Sequence, residues 1–405
     1  MKISKAKVAI VKTNSSPDYP EIRQAVEKAL DLIGGVQDII QPGHLVLINP
    51  SWVAPPVERE AGCITLPEIP RALADIVQEL GARPVIAESS AVGVDSEKVI
   101  QDSGYQQLRE MGYAVVDLKK NKKAYVTLPS ENGKVFEVLE CWELVQQADV
   151  VISVPKLKTH DQTEMTCAIK KLKGLLTDKG KRAMHQEGLF EGVVDLMTAV
   201  KPKLAVVDAI ICQEGVGPIF GKPVEMNLIV AGKDLVAVDS TCARLIGYKP
   251  AETLLTVNAA ARGLGIIDTD KIEILGASLD KVKRRFLRSI EDDPVKVEGF
   301  RLIHAEATCT GCRNTIMSAL IDMRNADQLM YLPGVTVITG GTPLPEGIPR
   351  DEIVTVGLCM PEESRTERHV QGCPPNNALV VQAIIGGRAE VKRMYAEESL
   401  DKTEQ

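Results

Sequence analysis

The sequence predicts an α/β fold, in which a doubly wound, mostly parallel sheet is followed by a smaller C-terminal α/β domain that bears cysteines. Two observations predict it. Short apolar runs of the length of buried strands alternate along the chain with segments of helical periodicity. Aromatic residues make up only 3% of the 405 residues, so the core must be mainly aliphatic, which suits parallel strands covered by helices on both faces.

The first part of the chain supplies most of these elements. Residues 67–80 begin with a proline and are followed by Gly81, the order in which these two residues bound a helix. Residues 125–140 are predicted to form a hairpin that turns at Glu131-Asn132-Gly133. Strands are predicted at residues 8–11, 45–48, 84–88, 114–117, 149–154, 204–208 and 227–230, and helices at residues 20–32, 67–80 and 96–111.

A charged segment at residues 281–298 ends the first unit, and we place the domain boundary near residue 295. The predicted domains are therefore residues 1–295 and 296–405. In the second, residues 314–323 have helical spacing and residues 335–338 and 353–356 are strand-like. A second helix is predicted at residues 378–385, capped by Asn376-Asn377 and ended by Gly386-Gly387.

Four of the nine cysteines fall in this second domain, each beside a predicted strand end or helix start: Cys309, Cys312, Cys359 and Cys373. Ligand sites of α/β sheets collect at the carboxyl ends of strands, where helix amino ends favour anions such as thiolates. The other cysteines are scattered and are predicted to be small buried side chains, except Cys63 and Cys212, which are placed in loops.

Four thiols gathered in a reducing compartment indicate a metal, and the favoured cofactor is a [4Fe–4S] cluster. Cys373-Pro374 resembles the Cys-Pro that closes many runs binding such clusters. Zinc is the alternative cofactor, although structural zinc sites more often have two Cys-x-x-Cys pairs. A third interpretation has no metal and includes a redox-active dithiol of Cys309 and Cys312. His369 is a further candidate contact, for which a solvated loop position is favoured.

Composition limits the partners. A net charge of −7 argues against a nucleic-acid partner, because nucleic-acid-binding domains are usually basic. No stretch approaches the length of a membrane span, and the amino terminus lacks the pattern of a signal peptide, so no membrane partner is expected. The predicted location is cytoplasmic.

The loop after the strand at residues 149–154 is dense in cations and hydroxyl groups, and its position at a strand end suits a pocket for phosphate or carboxylate. Lys156, Lys158 and His160 are the candidate donors, and a solvated basic turn is the alternative. Asn49, at the end of another strand, and Asp239, in the first turns of a predicted helix, are further ligand-binding candidates. For Asp239 a surface acid favoured by the helix dipole is the simpler interpretation.

Three segments make the sequence resemble a known family: Val154-Pro155-Lys156-Leu157-Lys158-Thr159-His160 with residues 170–174, Gly215-Val216-Gly217-Pro218 with residues 221–223, and Val236-Ala237-Val238-Asp239 with Gly247. The chain resembles the family catalogued as domain of unknown function 362 over roughly residues 5–265. The resemblance implies an iron–sulfur protein, because members often have an attached ferredoxin-like segment. This chain has no such run of four closely spaced cysteines, so its spread cysteines would have to serve.

The function expected from these observations is that of a cytoplasmic iron–sulfur cluster-binding protein with a redox or accessory role. It would bind a small anionic ligand or a redox partner protein near the cluster. The alternative is a zinc-stabilised transferase or binding module without redox chemistry. Whether the protein is an enzyme is left open, since no motif of a known catalytic type occurs in the sequence.

Overall fold

The computed structural model describes residues 5–56, 62–289, 291, 295–305 and 308–389. Within these ranges the chain forms a large sheet, a two-stranded hairpin and a small sheet, with helices packed around them. The strands are β1 (Ala6–Lys12), β2 (Leu45–Pro50), β3 (Arg83–Glu88), β4 (Val115–Asp117), β5 (Tyr125–Pro129), β6 (Val138–Trp142), β7 (Val150–Val154), β8 (Lys156–His160), β9 (Glu164–Thr166), β10 (Leu204–Glu214), β11 (Lys222–Gly232), β12 (Ile272–Gly276), β13 (Arg301–His304), β14 (Thr336–Thr339), β15 (Ile353–Val356) and β16 (Arg368–Val370).

The helices frame these strands in chain order, and short 3₁₀ turns occur between them. None of the helices within the described ranges is long and apolar enough to cross a membrane. The helices are α1 (Tyr19–Leu32), α2 (Glu68–Glu79), α3 (Ser96–Asp102), α4 (Tyr105–Glu110), α5 (Glu143–Gln147), α6 (Ala168–Lys171), α7 (Asp178–Glu187), α8 (Leu189–Val200), α9 (Leu235–Leu245), α10 (Leu254–Ala261), α11 (Leu279–Val282), α12 (Thr310–Asn325) and α13 (Asn377–Ile385).

The large sheet has ten strands, eight of them in the order β12-β1-β11-β10-β7-β2-β3-β4, with β8 paired to β10 and β9 paired to β8. Most neighbouring strands are parallel, whereas β11 runs antiparallel to both β1 and β10, and β9 runs antiparallel to β8. Strand β8 begins one residue after Pro155, which follows β7, so the chain passes almost directly from a central strand into the predicted polar loop. Residues 156–160 of the predicted loop are therefore a strand of the sheet, paired with β9 and β10, rather than a loop.

The large sheet is covered on both faces. Successive residues of β1 belong to different cores: Val8 and Ile10 face one, and Ala9 and Val11 face the other. This alternation follows from the two-residue period of a strand. Helices α6, α8, α9 and α10 contribute to the first core, and α1, α2, α3 and α4 to the second. The predicted doubly wound, mostly parallel sheet is confirmed.

The small sheet contains four parallel strands in the order β13-β14-β15-β16. Its core joins Ile316 and Leu320 of α12 to Val354 of β15 and Ile384 of α13. The cap predicted for α13 is present, since the side chain of Asn376 accepts a hydrogen bond from the backbone N–H of Ala378. The smaller cysteine-bearing α/β domain is therefore confirmed.

Three local predictions are wrong. The helix expected at residues 96–111 is two helices, α3 and α4, because Gly104 between them has a φ of 86° that an α-helix does not accommodate. Cys212 lies inside β10 rather than in a loop, and both it and Cys63 are buried. His369 lies in β16 rather than in a solvated loop, and its ring nitrogen Nδ1 is 3.1 Å from the hydroxyl of Thr355.

Candidate functional site

The first two cysteines lie at the amino end of α12. Cys309 is the N-cap residue, with an extended backbone, and Cys312 lies in the first turn. A hydrogen bond from the Cys312 thiol, together with backbone N–H groups of Gly311 and Cys312, lowers the pKa of Cys309 to about 6. The pKa of Cys312 changes in the opposite direction, because the hydrogen bond to Cys309 and the burial of the Cys312 thiol both raise it. The pair therefore consists of one exposed thiol that ionises readily and one buried thiol.

Cys359 and Cys373 lie at the same edge of the small sheet. The turn after β15 passes through Gly357, whose φ is 102°, and a Cβ at this position would lie 2.9 Å from the sulfur of Cys312. Burial raises the pKa of Cys373, and the charges of Cys309 and Cys359 raise it further. These effects require the three thiols to lie within electrostatic range of one another. The structure thus brings the four predicted cysteines to one edge.

The four thiols fit an iron–sulfur cluster in donor type and in place, beside two helix amino ends. They are not assembled as a chelate, however. Among the residues that the structure describes, no three His, Cys, Asp or Glu side chains lie close enough to hold a metal ion. Metal binding would require the four thiols to come closer together than they lie in the structure.

The cysteine-bearing edge packs against the large domain. The backbone N–H of Cys373 donates to the carbonyl of His185 at 3.1 Å, and its carbonyl accepts from the N–H of Leu189 at 2.7 Å. The side-chain amide of Gln162 donates to the Thr315 hydroxyl at 2.8 Å and to the Pro375 carbonyl at 2.9 Å. The cysteines therefore lie beside the loop that follows β8.

That segment and its neighbours bring together lysine and histidine side chains, which we call the basic cluster: Lys156, Lys158, His160, Lys170, Lys171, Lys173, Lys181 and His185. Several of these groups are satisfied internally. Lys156 and Asp208 form an ion pair of 2.5 Å in which the side chains are 1% and 0% exposed. The ammonium of Lys158 donates to the carbonyls of Cys63 and Pro218 at 2.7 and 2.9 Å.

Burial and mutual repulsion weaken the charges in the basic cluster. Burial, together with the nearby charges of Lys170 and Lys156, lowers the pKa of Lys158 to about 7. Burial and Lys170 also lower the pKa of His160 to about 4, against the opposing effect of Asp161, whose carboxylate is 2.8 Å from Nδ1. His160 is therefore neutral at pH 7.

The remaining predicted ligand-binding residues have internal partners as well. Asn49 donates to Glu88 at 2.5 Å and accepts from Lys171 at 2.8 Å, and Lys171 also forms an ion pair with Glu88. Asp239 is buried rather than at the surface. It accepts from the backbone N–H of Ala168 at 2.7 Å, at the start of α6.

Sequence reasoning missed Lys181 and His185, which also belong to the basic cluster. Both lie on α7, four residues apart and hence on one face of that helix. Lys181 donates to the Ser89 and Ser90 carbonyls at 2.9 and 2.6 Å, and His185 contacts the ammonium of Lys173 through Nε2. The sequence signal that could have indicated them is the four-residue spacing of Lys181 and His185, shortly after the lysine-rich segment.

The glycine loop after β10 approaches another chain segment closely. A Cβ at Gly217 would overlap the carbonyl of Thr159 in β8. The carbonyl of Pro218 in this loop accepts a hydrogen bond from the ammonium of Lys158. The loop therefore closes one side of the basic cluster.

Comparison with known proteins identifies the family. A family model described as domain of unknown function (DUF362) matches residues 46–244. A curated relative, the thylakoid-associated protein of Synechocystis sp., is 33% identical over 250 residues, covering 59% of this chain and 74% of the relative. Among solved structures, the lactate racemase apoprotein from Thermoanaerobacterium thermosaccharolyticum has a TM-score of 0.40 and 12% identity, covering 83% of this chain and 69% of that one.

Proposed function

The chain belongs to the family of domain of unknown function 362, and we propose that it is an iron–sulfur cluster-binding protein with a redox or accessory role. In this proposal Cys309, Cys312, Cys359 and Cys373 hold a [4Fe–4S] cluster beside an anion pocket. The observation that carries it is the docking of the cysteine-bearing edge, through Cys373, onto the basic cluster.

The chemistry of this edge supports a cluster. Iron–sulfur clusters are held by thiolates, and Cys309 ionises at a lower pH than an ordinary thiol. A cluster bound by four thiolates is an anion, which helix amino ends and nearby cations stabilise. When bound, such a cluster transfers single electrons. The proposal assumes a reducing compartment such as the cytoplasm, where free thiols persist.

The anion pocket is proposed in the basic cluster, with Lys156, Lys158 and His160 as the residues first predicted from the sequence. Lys156 and Lys158 already bind protein groups, so their contribution is to the electrostatic field of the pocket rather than to direct contacts. The partner would be a small anion or the acidic surface of a redox protein. No reaction is assigned to the pocket.

Anaerobic purification followed by iron and acid-labile sulfide analysis tests the cluster. We expect about four irons and four sulfides per chain, and loss of both in a Cys309→Ser, Cys373→Ser variant. Cys141→Ala is the matched control, because Cys141 is buried in the core of the large domain and far from the cysteine-bearing edge in sequence. A colourless protein that still lacks iron after anaerobic reconstitution would refute the proposal.

The same samples distinguish the zinc alternative. Stoichiometric zinc, with unfolding on addition of a chelator, would indicate a zinc-stabilised transferase or binding module instead. Full stability of the double serine variant with no metal in either protein would indicate that the thiols have no metal-binding role.

A further inference from the structure

Lys170 occupies a special position in the basic cluster. It lies in α6, one residue before Lys171, and its side chain is partly exposed. Within the described part of the chain its ammonium has neither a hydrogen bond nor an ion pair, unlike those of Lys156, Lys158 and Lys171. A partly buried cation without a partner is costly unless another group supplies the missing contacts.

Lys170 is also the electrostatic centre of the cluster. Its charge lowers the pKa of Lys158, Lys173, His160 and His185, so it lies within interaction range of all four. These groups come from β8, from the turn after α6 and from α7. Lysine and histidine side chains from three separate elements therefore lie near the ammonium of Lys170.

The carboxylates do not balance these cations. Asp208 pairs with Lys156 and Glu88 pairs with Lys171, which leaves Lys158, Lys170 and Lys173 without a carboxylate ion pair in the described ranges. Asp161 is the acid that attracts both Lys170 and Lys173. Burial and neighbouring cations lower the pKa of all three lysines, so without a ligand they are not all charged at neutral pH. Lys181 is offset by Asp178. When a bound anion keeps the three lysines protonated, they exceed the single charge of Asp161 by about two positive charges.

The buried hydroxyl of Thr166 is a further polar group available to a ligand. The hydroxyl of Thr166 is buried and has no hydrogen-bond partner among the described residues. Thr166 lies opposite Lys158 in the β8–β9 pair, so the two side chains project from the same face. Buried hydroxyl groups are normally hydrogen-bonded, and a ligand oxygen would satisfy this one.

From this placement we propose that the basic cluster is a binding site for a small dianion, a phosphate monoester or a dicarboxylate, centred on the ammonium of Lys170. Lys173 and His185 form its accessible side, since both retain partial exposure. Thr166 forms its buried side, where Lys158 contributes charge rather than a direct contact. The dianion supplies the two charges that the carboxylates leave unbalanced. This inference rests on the anion pocket of the proposed function and not on its cluster.

Calorimetric titration of the anaerobically purified protein with inorganic phosphate and with succinate tests the site. Acetate, at matched ionic strength, is the monoanion control. We expect saturable binding of at least one dianion, with affinity reduced at least tenfold in Lys170→Gln. Lys179→Gln is the matched control, because Lys179 lies on α7 with a side chain 82% exposed, and it should bind as the unmodified protein does.

The melting temperature without added dianion separates binding from folding. Removing an unbalanced cation should leave it unchanged or raise it in Lys170→Gln, whereas a purely structural lysine would lower it. Should Lys170→Gln fail to fold, Lys173→Gln is expected to show the same loss of affinity. Equal responses to acetate and both dianions, or undiminished binding by the lysine variants, would overturn the proposal.

Iron and sulfide content measured on the same samples keeps the two proposals apart. Dianion binding without iron would refute the cluster alone, and iron without dianion binding would refute the site alone.

Discussion

The backbone N–H of Cys373 donates a 3.1 Å hydrogen bond to the carbonyl of His185, whose ring in turn contacts the ammonium of Lys173. This contact joins the last cysteine of the small domain to the basic cluster of the large one. The candidate metal edge and the candidate anion site are therefore neighbours. Any ligand or metal bound at one changes the electrostatic field at the other.

Replacement of Cys359 tests the metal edge at low cost to the fold. Cys359 is exposed, so Cys359→Ser should change the stability of the metal-free protein by no more than about 0.5 kcal/mol. It should nevertheless reduce iron retention, because one iron of the cluster would lose its thiolate ligand. Iron analysis and urea unfolding are the two measurements. A variant that retains full iron would exclude Cys359 as a ligand.

The ion pair of Lys156 and Asp208 should prove strongly coupled. Asp208→Asn leaves a buried ammonium without its counter-charge, and we expect a loss of about 3–5 kcal/mol in the free energy of unfolding. Adding Lys156→Met should restore part of that loss, since it removes the uncompensated charge. Urea unfolding of both single variants and the double variant gives the coupling energy. Additive losses would contradict the pairing.

Lys158 should make stability depend on pH. Burial lowers its pKa from 10.5 to about 7 in the folded chain. Between these values the unfolded chain holds a proton that the folded chain has lost, so stability rises with pH through this interval. Lys158→Met should show a smaller rise than the unmodified protein, by at most about 5 kcal/mol. The rise that remains comes from Lys170 and Lys181, whose pKa values are also lowered. Chemical denaturation from pH 6.5 to 10 measures it, with exposed Lys179→Met as control. Parallel profiles for Lys158→Met and the unmodified protein would show that Lys158 does not titrate in this way.

Gly174 should not tolerate a side chain. A Cβ at this position would overlap the carboxylate of Glu88, which pairs with Lys171 and accepts from Asn49. Gly174→Ala should therefore displace a buried ion pair and lower the free energy of unfolding by more than about 2 kcal/mol. Thermal and urea unfolding measure the change. A loss below about 0.5 kcal/mol would mean that Glu88 relocates without cost.

The positions of the cysteines could be predicted because they follow from local rules. Strand ends and helix starts are visible in the apolar pattern and in caps such as Asn376, and parallel strands bring their carboxyl ends to one edge. The distances between the sulfur atoms could not be predicted in this way. They depend on the turns after β14 and β15, where Gly357 lets the chain pass close to Cys312.

For the basic cluster, less could be predicted from the sequence than for the cysteines. The density of lysines after β7 was evident, yet the sequence could not indicate which of them would be neutralised. Lys156 pairs with Asp208 of β10, and Lys171 pairs with Glu88 of β3, each far away along the chain. His185 was missed because its helix joins the loop only through packing.

By itself, the sequence determined the α/β class, the family and the residue types that meet at the sheet edges, since these follow from periodicity and local motifs. Only the tertiary structure decided that the cysteine-bearing edge packs on the basic cluster and that Lys170 has neither a hydrogen bond nor an ion pair among the described residues. The physical reason is that burial and ion pairing are set by groups distant in sequence. Whether a lysine is neutralised by an ion pair or is available to a ligand therefore depends on where the neighbouring carboxylates lie in the folded chain.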